Sequence, residues 1–326
     1  MVAPAAAAGY RRAMSDAPAE AIPLVVNPRA GAGKASKHLP RLLRSLRVAG
    51  AKPIVHHTRR PGHATELVRQ LLGEGAAGVA VVGGDGTVNE ALNGFFDEAG
   101  APIAPGAWLG PLPCGTGGDF RKTARLPESP EAMARRLVAA TPRPIDVGWI
   151  TFVDHEGRDA HRAFLNVASF GIGGLVDRLV NESPKWIGGR AAFIVGSLRA
   201  LTRYRSRLVR FQVDGQDPRE ARVINVAIAN GQYFGGGMHI APEASLDDGL
   251  FDVVSLERQG LAEQLTLARP LYDGTLLQQS GVEFTRGTTI RAEPLEGLAV
   301  ELDVDGEAPG RLPATFELRS GVLQLR

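Results

Sequence analysis

Four small apolar residues, Val79-Ala80-Val81-Val82, run directly into Gly83-Gly84-Asp85-Gly86-Thr87-Val88-Asn89-Glu90. The apolar run reads as a buried strand, and three glycines around one aspartate read as the turn that leaves it. Thr87 and Glu90 have the spacing of a capping box, which predicts that a helix opens there. Glycines permit positive φ and let an anion approach main-chain N–H groups. The helix N-terminus adds the positive end of its dipole. A bare Gly-Gly pair would mean only a tight turn, but with Asp85 and the helix start included the block predicts a nucleotide phosphate site.

The same strand–turn–helix rhythm extends from Ile22 to about Asp146. Leu24-Val25-Val26 is a short strand ending at Asn27-Pro28, and Leu39, Leu42, Leu43 and Leu46 recur at helical spacing. Pro53 to His57 reads as a strand and Thr65 to Leu72 as a helix. The helix from Val88 turns Leu92, Phe95 and Phe96 inward, Trp108 to Leu112 is a further strand, and Pro130 to Ala140 a further helix. Successive units of this size imply a parallel sheet with helices on both faces.

After Asp146 strands dominate: Phe164 to Ala168, Leu208 to Val213, Arg222 to Ala229, Leu250 to Leu256, Ile290 to Ala292, Leu298 to Val304 and Thr315 to Leu318. Helices are expected only around Leu175–Asn181, Arg190–Tyr204 and Ala262–Gln279. The predicted fold class is therefore α/β plus β. A doubly wound, Rossmann-like nucleotide domain covers residues 21–145, and a mainly antiparallel β-sandwich covers 146–326, behind a disordered tail of residues 1–20. A cleft between the two domains is the default ligand site.

The 326 residues suffice for two cores. Glycine is enriched, 40 residues or roughly 12% against a usual level of about 7%, and no repeat period organises it, so turns and ligand loops account for it. A formal charge of +2 argues neither for nor against an anionic partner. One cysteine, Cys114, excludes an intramolecular disulfide and fits a reducing compartment. No run of about 18 apolar residues predicts a transmembrane helix, and the Ala/Pro-rich start with Arg11-Arg12 lacks the apolar segment of an export signal. The expected location is cytoplasmic, with membrane contact peripheral at the inner surface. The helix expected at Arg190–Tyr204, with Trp186 before it, combines Phe193, Ile194, Val195 and Leu198 with Arg199 and Arg203, a pattern suited to an anionic bilayer surface. His56 and His57 point to opposite faces of a strand, and with no Cys-x-x-Cys a zinc site is not expected.

Two further glycine-rich loops follow strands. Asn27-Pro28-Arg29-Ala30-Gly31-Ala32-Gly33-Lys34 invites comparison with a Walker A loop but has Pro28 where the first glycine belongs and Ala35 in place of the Mg²⁺-binding hydroxyl. Phosphate contact at this loop is still expected, because it precedes a helix. Pro113-Cys114-Gly115-Thr116-Gly117-Gly118-Asp119-Phe120 adds a second acid, Asp119, able to serve a Mg²⁺ network or to orient a hydroxyl.

These three loops together resemble the diacylglycerol kinase catalytic domain of bacterial lipid kinases. Asn27-Pro28 with Gly31 is similar to its NPxxG loop, Gly83 to Thr87 to GGDGT, and Gly115 to Phe120 to GTxND[FL], with Gly118 replacing the usual Asn. NAD kinases share GGDGT but tend to lack the acid of the third loop. Further matches follow: Asn166 to Gly174 with N-x-x-x-x-G-x-G, Asn230 to Met238 with NGxxxGGG, Ala241-Pro242 and Asp247 to Asp252 with AP…DDGxxD, and Asp305-Gly306-Glu307 with a terminal DGE.

The resemblance implies a two-domain kinase that uses ATP and Mg²⁺ to phosphorylate a hydroxyl of a membrane lipid. Diacylglycerol is the default acceptor, with a ceramide or sphingoid base and phosphatidylglycerol as alternatives. NAD kinase and an inactive lipid- or nucleotide-binding protein are the other readings. Nucleotide contacts would fall on Asn27, Pro28, Gly31, Gly33, Thr58, Gly83, Gly84, Asp85, Gly86, Thr87, Asn89, Gly115 and Thr116. Asp85 and Asp119 would serve the metal network, and Asp305 or Glu307 would take the acceptor's proton. A structural metal would use the Asp248 carboxylate with main-chain oxygens of Ser245 and Leu250. The partners expected are ATP and a membrane lipid, with a homodimer admissible and no nucleic acid.

Overall fold

The structure, a computed structural model, describes residues 20–114, 118–173, 204–257 and 266–326. Residues 1–19 of the tail expected at 1–20, the nucleotide contacts Gly115 and Thr116, and the helices expected at Leu175–Asn181 and Arg190–Tyr204 (up to residue 203) lie outside the described residues, as does the start of the helix expected at Ala262–Gln279, whereas Glu20 already belongs to the first strand.

β1 (Glu20–Val26), β2 (Ala51–His57), β3 (Gly78–Gly83) and β4 (Trp108–Pro113) form a parallel set in the order β2-β1-β3-β4. The helices are α1 (Lys34–Val48), α2 (His63–Gly73), α3 (Asp85–Asn93), the short α4 (Asp119–Thr123) and α5 (Pro130–Ala139). Leu24, Val26, Ala80 and Val82 turn to one face and pack with Leu42 and Leu46 of α1 and with Met133 and Leu137 of α5. Val25, Val79 and Val81 turn to the other and pack with Val68 of α2 and with Val88 and Leu92 of α3. Burial on both faces is why these strands read as unbroken apolar runs rather than alternations.

Among the described residues the remaining strands are β5 (Arg143–Asp154), β6 (Asp159–Phe164), β7 (Val167–Gly171), β8 (Arg207–Val213), β9 (Arg219–Val223), β10 (Asn225–Ala229), β11 (Tyr233–Phe234), β12 (Met238–His239), β13 (Phe251–Leu256), β14 (Val282–Gly287), β15 (Thr289–Pro294), β16 (Leu302–Val304) and β17 (Gly310–Leu325), accompanied by the short helix α6 (Pro270–Asp273) and a single 3-10 turn at Leu276–Gln278. β17 pairs antiparallel with β5 and β15, and its last residues, Gln324 and Leu325, pair parallel with Trp108 and Leu109 of β4. The parallel set therefore continues without interruption into an antiparallel sheet that ends at β8 and β9. A second, five-stranded sheet has the order β14-β13-β10-β7-β16. Between the two sheets lies an apolar core containing Phe164, Phe170, Phe211, Phe251 and Phe316.

Four expected segments differ from what forms. The run from Leu298 to Val304 shortens to β16, Leu302–Val304. The run expected from Phe164 to Ala168 breaks after Phe164, because the N–H groups of Leu165 and Asn166 donate to the Asp305 carboxylate. The run from Arg222 to Ala229 divides into β9 and β10, which lie in different sheets. The described part of Ala262–Gln279 is not one helix: Pro270 opens α6, and Gly274 ends it at φ 79°.

Candidate active site

The loops after β1, β2, β3 and β4 leave from the carboxyl edge of the parallel set, where open α/β sheets place ligands. Their spacing is set by contacts that tolerate no side chain. A Cβ on Gly31 would lie 2.3 Å from the Cys114 carbonyl oxygen, so the first and third loops touch main chain to main chain. A Cβ on Gly83 would lie 2.5 Å from the Thr87 Cβ. Gly31 and Gly33 take positive φ, whereas Gly83, Gly84 and Gly86 do not. In the GGDG turn Gly83 is therefore required for close packing, and the positive φ that the sequence also suggested is not used there.

The expected capping box does not form. α3 opens at Asp85 with Gly84 as its N-cap and no side-chain cap, which places Thr87 inside the first turn. The Thr87 hydroxyl instead accepts from Asn27 Nδ2 at 2.9 Å, joining the first loop to the third strand's turn. Asn27 Oδ1 accepts from the Arg29 N–H, and the Thr58 N–H donates to the Val26 carbonyl, so Asn27 and Thr58 both stand at this edge.

Asp85 Oδ2 accepts the N–H groups of Gly118 and Asp119, at 2.9 and 3.2 Å. Burial, and then the charge of Asp119, pushes the Asp85 carboxyl above the ordinary carboxylate range. Asp119 reaches further: Oδ2 accepts from Gly236 N–H at 2.7 Å and Oδ1 from Lys122 Nζ at 3.2 Å. The Lys122 ammonium also lies over the Tyr233 ring, 5.5 Å from its centre. Asp119 thus ties the third loop to the glycine-rich segment after Asn230.

The DGE segment meets α3 from the opposite side. Asp305 takes φ 51°, a left-handed conformation uncommon outside glycine. Its carboxylate accepts four bonds: from Asn89 Nδ2 (2.8 Å), Leu165 N–H (2.9 Å), Asn166 N–H (3.0 Å) and Val167 N–H (3.1 Å). The residue is half-buried, but its carboxylate is enclosed, and burial outweighs these donors to raise its pKa. Glu307 is exposed, with Oε1 3.0 Å from the point a Gly86 Cβ would occupy. Asp85, Asp119, Asp305 and Glu307 therefore gather around the first turn of α3, two from each half of the chain.

Asp248 is exposed, and its Oδ1 accepts from the Leu250 N–H at 3.2 Å. Ser245 donates its hydroxyl to Asp247 at 2.6 Å, and Asp247 pairs with Arg143 at 2.9 Å. No three His, Cys, Asp or Glu side chains cluster as a metal site among the described residues, so an ion here would depend on main-chain oxygens. An all-oxygen set of that kind fits a hard cation such as Mg²⁺. The buried Asp252 Oδ2 has no hydrogen-bond partner and lies within the influence of the Asp248 charge. The carboxylate is paired with Arg286 through Oδ1 at 2.8 Å.

Sequence reading missed Asp146. It is 1% exposed and holds three groups: Oδ2 accepts the Gly249 N–H, while Oδ1 accepts the Ser320 hydroxyl and the Gly321 N–H. A lone acid in the apolar run Ile145-Asp146-Val147 was the available signal, since a buried charge must have partners. Arg162, Asn166 and Lys122 were likewise unassigned. Arg162 donates to Asn89 Oδ1 at 2.8 Å, and Asn166 Oδ1 accepts from the Thr123 hydroxyl at 3.0 Å.

Two family profiles cover the chain in succession: the diacylglycerol kinase catalytic domain over residues 21–150 and the YegS C-terminal NAD kinase beta sandwich-like domain over residues 166–326. The chain is 28% identical to the diacylglycerol kinase of Bacillus subtilis (strain 168), covering 90% of this chain and 91% of that one. It is 27% identical to the diacylglycerol kinase of Staphylococcus aureus (strain bovine RF122 / ET3-1), covering 90% and 88%. A crystal structure of a diacylglycerol kinase from Bacillus anthracis str. Sterne shares the fold, with a TM-score of 0.69, 24% identity and coverage of 94% and 96%. A second structure from that organism superimposes with a TM-score of 0.74 at 26% identity, covering 95% and 98%. With both profiles matched in order and the motif loops brought to one edge, the chain belongs to the diacylglycerol kinase family of lipid kinases and is a phosphotransferase.

Proposed function

We propose that this enzyme transfers the γ-phosphoryl group of ATP to a hydroxyl of a membrane lipid, with diacylglycerol as the preferred acceptor. The observation that carries this reading is the meeting of four acids, Asp85, Asp119, Asp305 and Glu307, around the first turn of α3. ATP lies along Asn27, Gly31, Gly33, Thr58 and the turn from Gly83 to Asn89, with its phosphates toward the positive end of α3. Gly115 and Thr116 of the third loop complete this set by resemblance.

Phosphoryl transfer spreads negative charge over the transferred group, so catalysis is chiefly positioning and charge stabilisation. Mg²⁺ entering with ATP supplies that stabilisation, and Asp85 and Asp119 are the residues that would hold it. Asp305 is the base. Its four donors fix the carboxylate and fill its lone pairs, so one of them gives way as the acceptor's proton is taken, and burial raises its pKa. Glu307 stands on the phosphate side of the same turn and orients what approaches Gly86. A second divalent ion at Asp248, with the main-chain oxygens of Ser245 and Leu250, braces the turn that Asp146 also holds.

The test is incubation of the purified enzyme with labelled ATP, Mg²⁺ and a panel of diacylglycerol, ceramide, sphingosine, phosphatidylglycerol and NAD. Label in the product of diacylglycerol is expected. Label in NAD alone would replace this reading with a nucleotide kinase.

A further inference from the structure

The four donors to Asp305 are unevenly placed. Three of them, the N–H groups of Leu165, Asn166 and Val167, belong to one stretch of main chain. The fourth, Asn89 Nδ2 at 2.8 Å, joins the carboxylate to α3, the helix that opens at Asp85. A single carboxamide therefore sets Asp305 relative to that helix. A carboxamide has two ends of nearly equal size, one an acceptor and the other a donor. Turned over, Asn89 would set Oδ1 against the Asp305 carboxylate, oxygen to oxygen.

Its neighbours decide which way it faces. Asn89 Nδ2 also donates to the Ala163 carbonyl at 3.0 Å, and Arg162 Nε donates to Asn89 Oδ1 at 2.8 Å. Asn93 Nδ2 lies 3.3 Å from the same oxygen, but it is shared with the Asn89 carbonyl at 2.8 Å and the Ala163 carbonyl at 3.1 Å. A guanidinium carries donors and no acceptor, so the atom it faces must be the oxygen. A charged donor also makes a hydrogen bond roughly twice as strong as a neutral one. Asn89 is 1% exposed, so water does not replace that bond. Arg162 shares its side of β6 with Ala160 and Phe164, which pack into the aromatic core. A guanidinium on that side needs a partner, and among the described residues its partner is Asn89 and not a carboxylate.

We propose that Arg162 is a positioning residue for phosphoryl transfer: it holds the Asn89 carboxamide with Nδ2 toward Asp305 and so sets that carboxylate relative to the first turn of α3. This rests on the reading of Asp305 as the base and deepens it. Arg162 acts through Asn89, and its contribution is the donor at Nε rather than the charge of the guanidinium. A displacement of roughly 1 Å at a reacting group can cost about 10²-fold in rate, so a loosened carboxamide shows in kcat.

Two substitutions of similar reach separate the donor from the charge. In Arg162→Gln, Nε2 takes the chain position of the arginine Nε and keeps a neutral donor toward Asn89 Oδ1, whereas Arg162→Met has none. The experiment measures kcat and the KM for ATP of the full chain on dioctanoylglycerol in micelles, for both variants in the wild-type background and for Arg162→Met combined with Asp305→Asn. Arg162→Met should lower kcat by roughly 10- to 100-fold with the KM for ATP unchanged. Arg162→Gln should recover the larger part of that loss. In the Asp305→Asn background Arg162→Met should slow kcat no further, because its effect passes through the missing carboxylate. Three results overturn the proposal and leave the kinase reading intact: wild-type kcat in Arg162→Met, equal slowing of Gln and Met, or the same fold-loss from Met with and without Asp305. A near-normal kcat in Asp305→Asn alone overturns the reading of that residue as the base, and this proposal with it.

Discussion

Asp85 and Asp305 are carboxyls whose folded environment favours the neutral form, chiefly through burial. A carboxyl raised in this way contributes stability that is complete below its unfolded-state pKa and is lost as pH rises through its folded-state pKa. As pH rises through that folded-state pKa, the ionised Asp85 therefore weakens the fold. Asp85→Asn should raise the melting temperature there, measured with a chelator present, and should lower kcat by roughly 10²-fold or more. A lower melting temperature in that range would mean that the bonds from Gly118 and Asp119 need the charge. The same two residues predict the acid side of the pH profile. Activity needs both ionised, so kcat/KM should decline at a pH above the ordinary carboxylate value of about 4. A profile level down to that value would contradict the raised assignments.

At the scale of elements, the site depends on α3 and on the turn latched by Asp146. Gly83→Ala places a methyl 2.5 Å from the Thr87 Cβ, so the first turn of α3 must shift. A cost of about 1–3 kcal/mol is expected, with the KM for ATP rising, as thermal melts and kinetics would show. Asp146→Ala removes the acceptor shared by Gly249, Ser320 and Gly321, and at roughly 0.5–1.5 kcal/mol for each hydrogen bond the variant should melt below wild type. Asp248→Ala should lose the melting-temperature increment that Mg²⁺ gives wild type. An identical response to chelator in both proteins removes the structural metal. These elements also show what the sequence could convey. The βα units were legible because doubly buried strands are continuous apolar runs and their helices carry apolar residues at helical spacing. The capping box misled because the motif is local, whereas Thr87 is claimed by Asn27, 60 residues away. Asp146 and the division between β9 and β10 went unseen because partners on distant segments decide them.

Across the whole molecule, β17 ties the two halves together, pairing with β4 at one end and with β5 and β15 along the rest. Close to it, Asp305 reaches across to Asn89 and brings the DGE turn onto α3. No helix among the described residues is long and apolar enough to cross a membrane. The motif loops were readable in sequence as separate matches. Their convergence was not, since it depends on β16 and β17 returning the end of the chain to α3. That convergence is the central claim, and kcat of Asp305→Asn on diacylglycerol, measured with the KM for ATP, tests it most directly. A positioned base contributes roughly 10²–10⁴-fold, about 3–5 kcal/mol of barrier. The account predicts a fall of that order in kcat, with the KM for ATP nearly unchanged because the nucleotide rests on the loops of the other half. Near-normal lipid phosphorylation by this variant would contradict it, leaving the DGE segment as a structural latch and the base elsewhere.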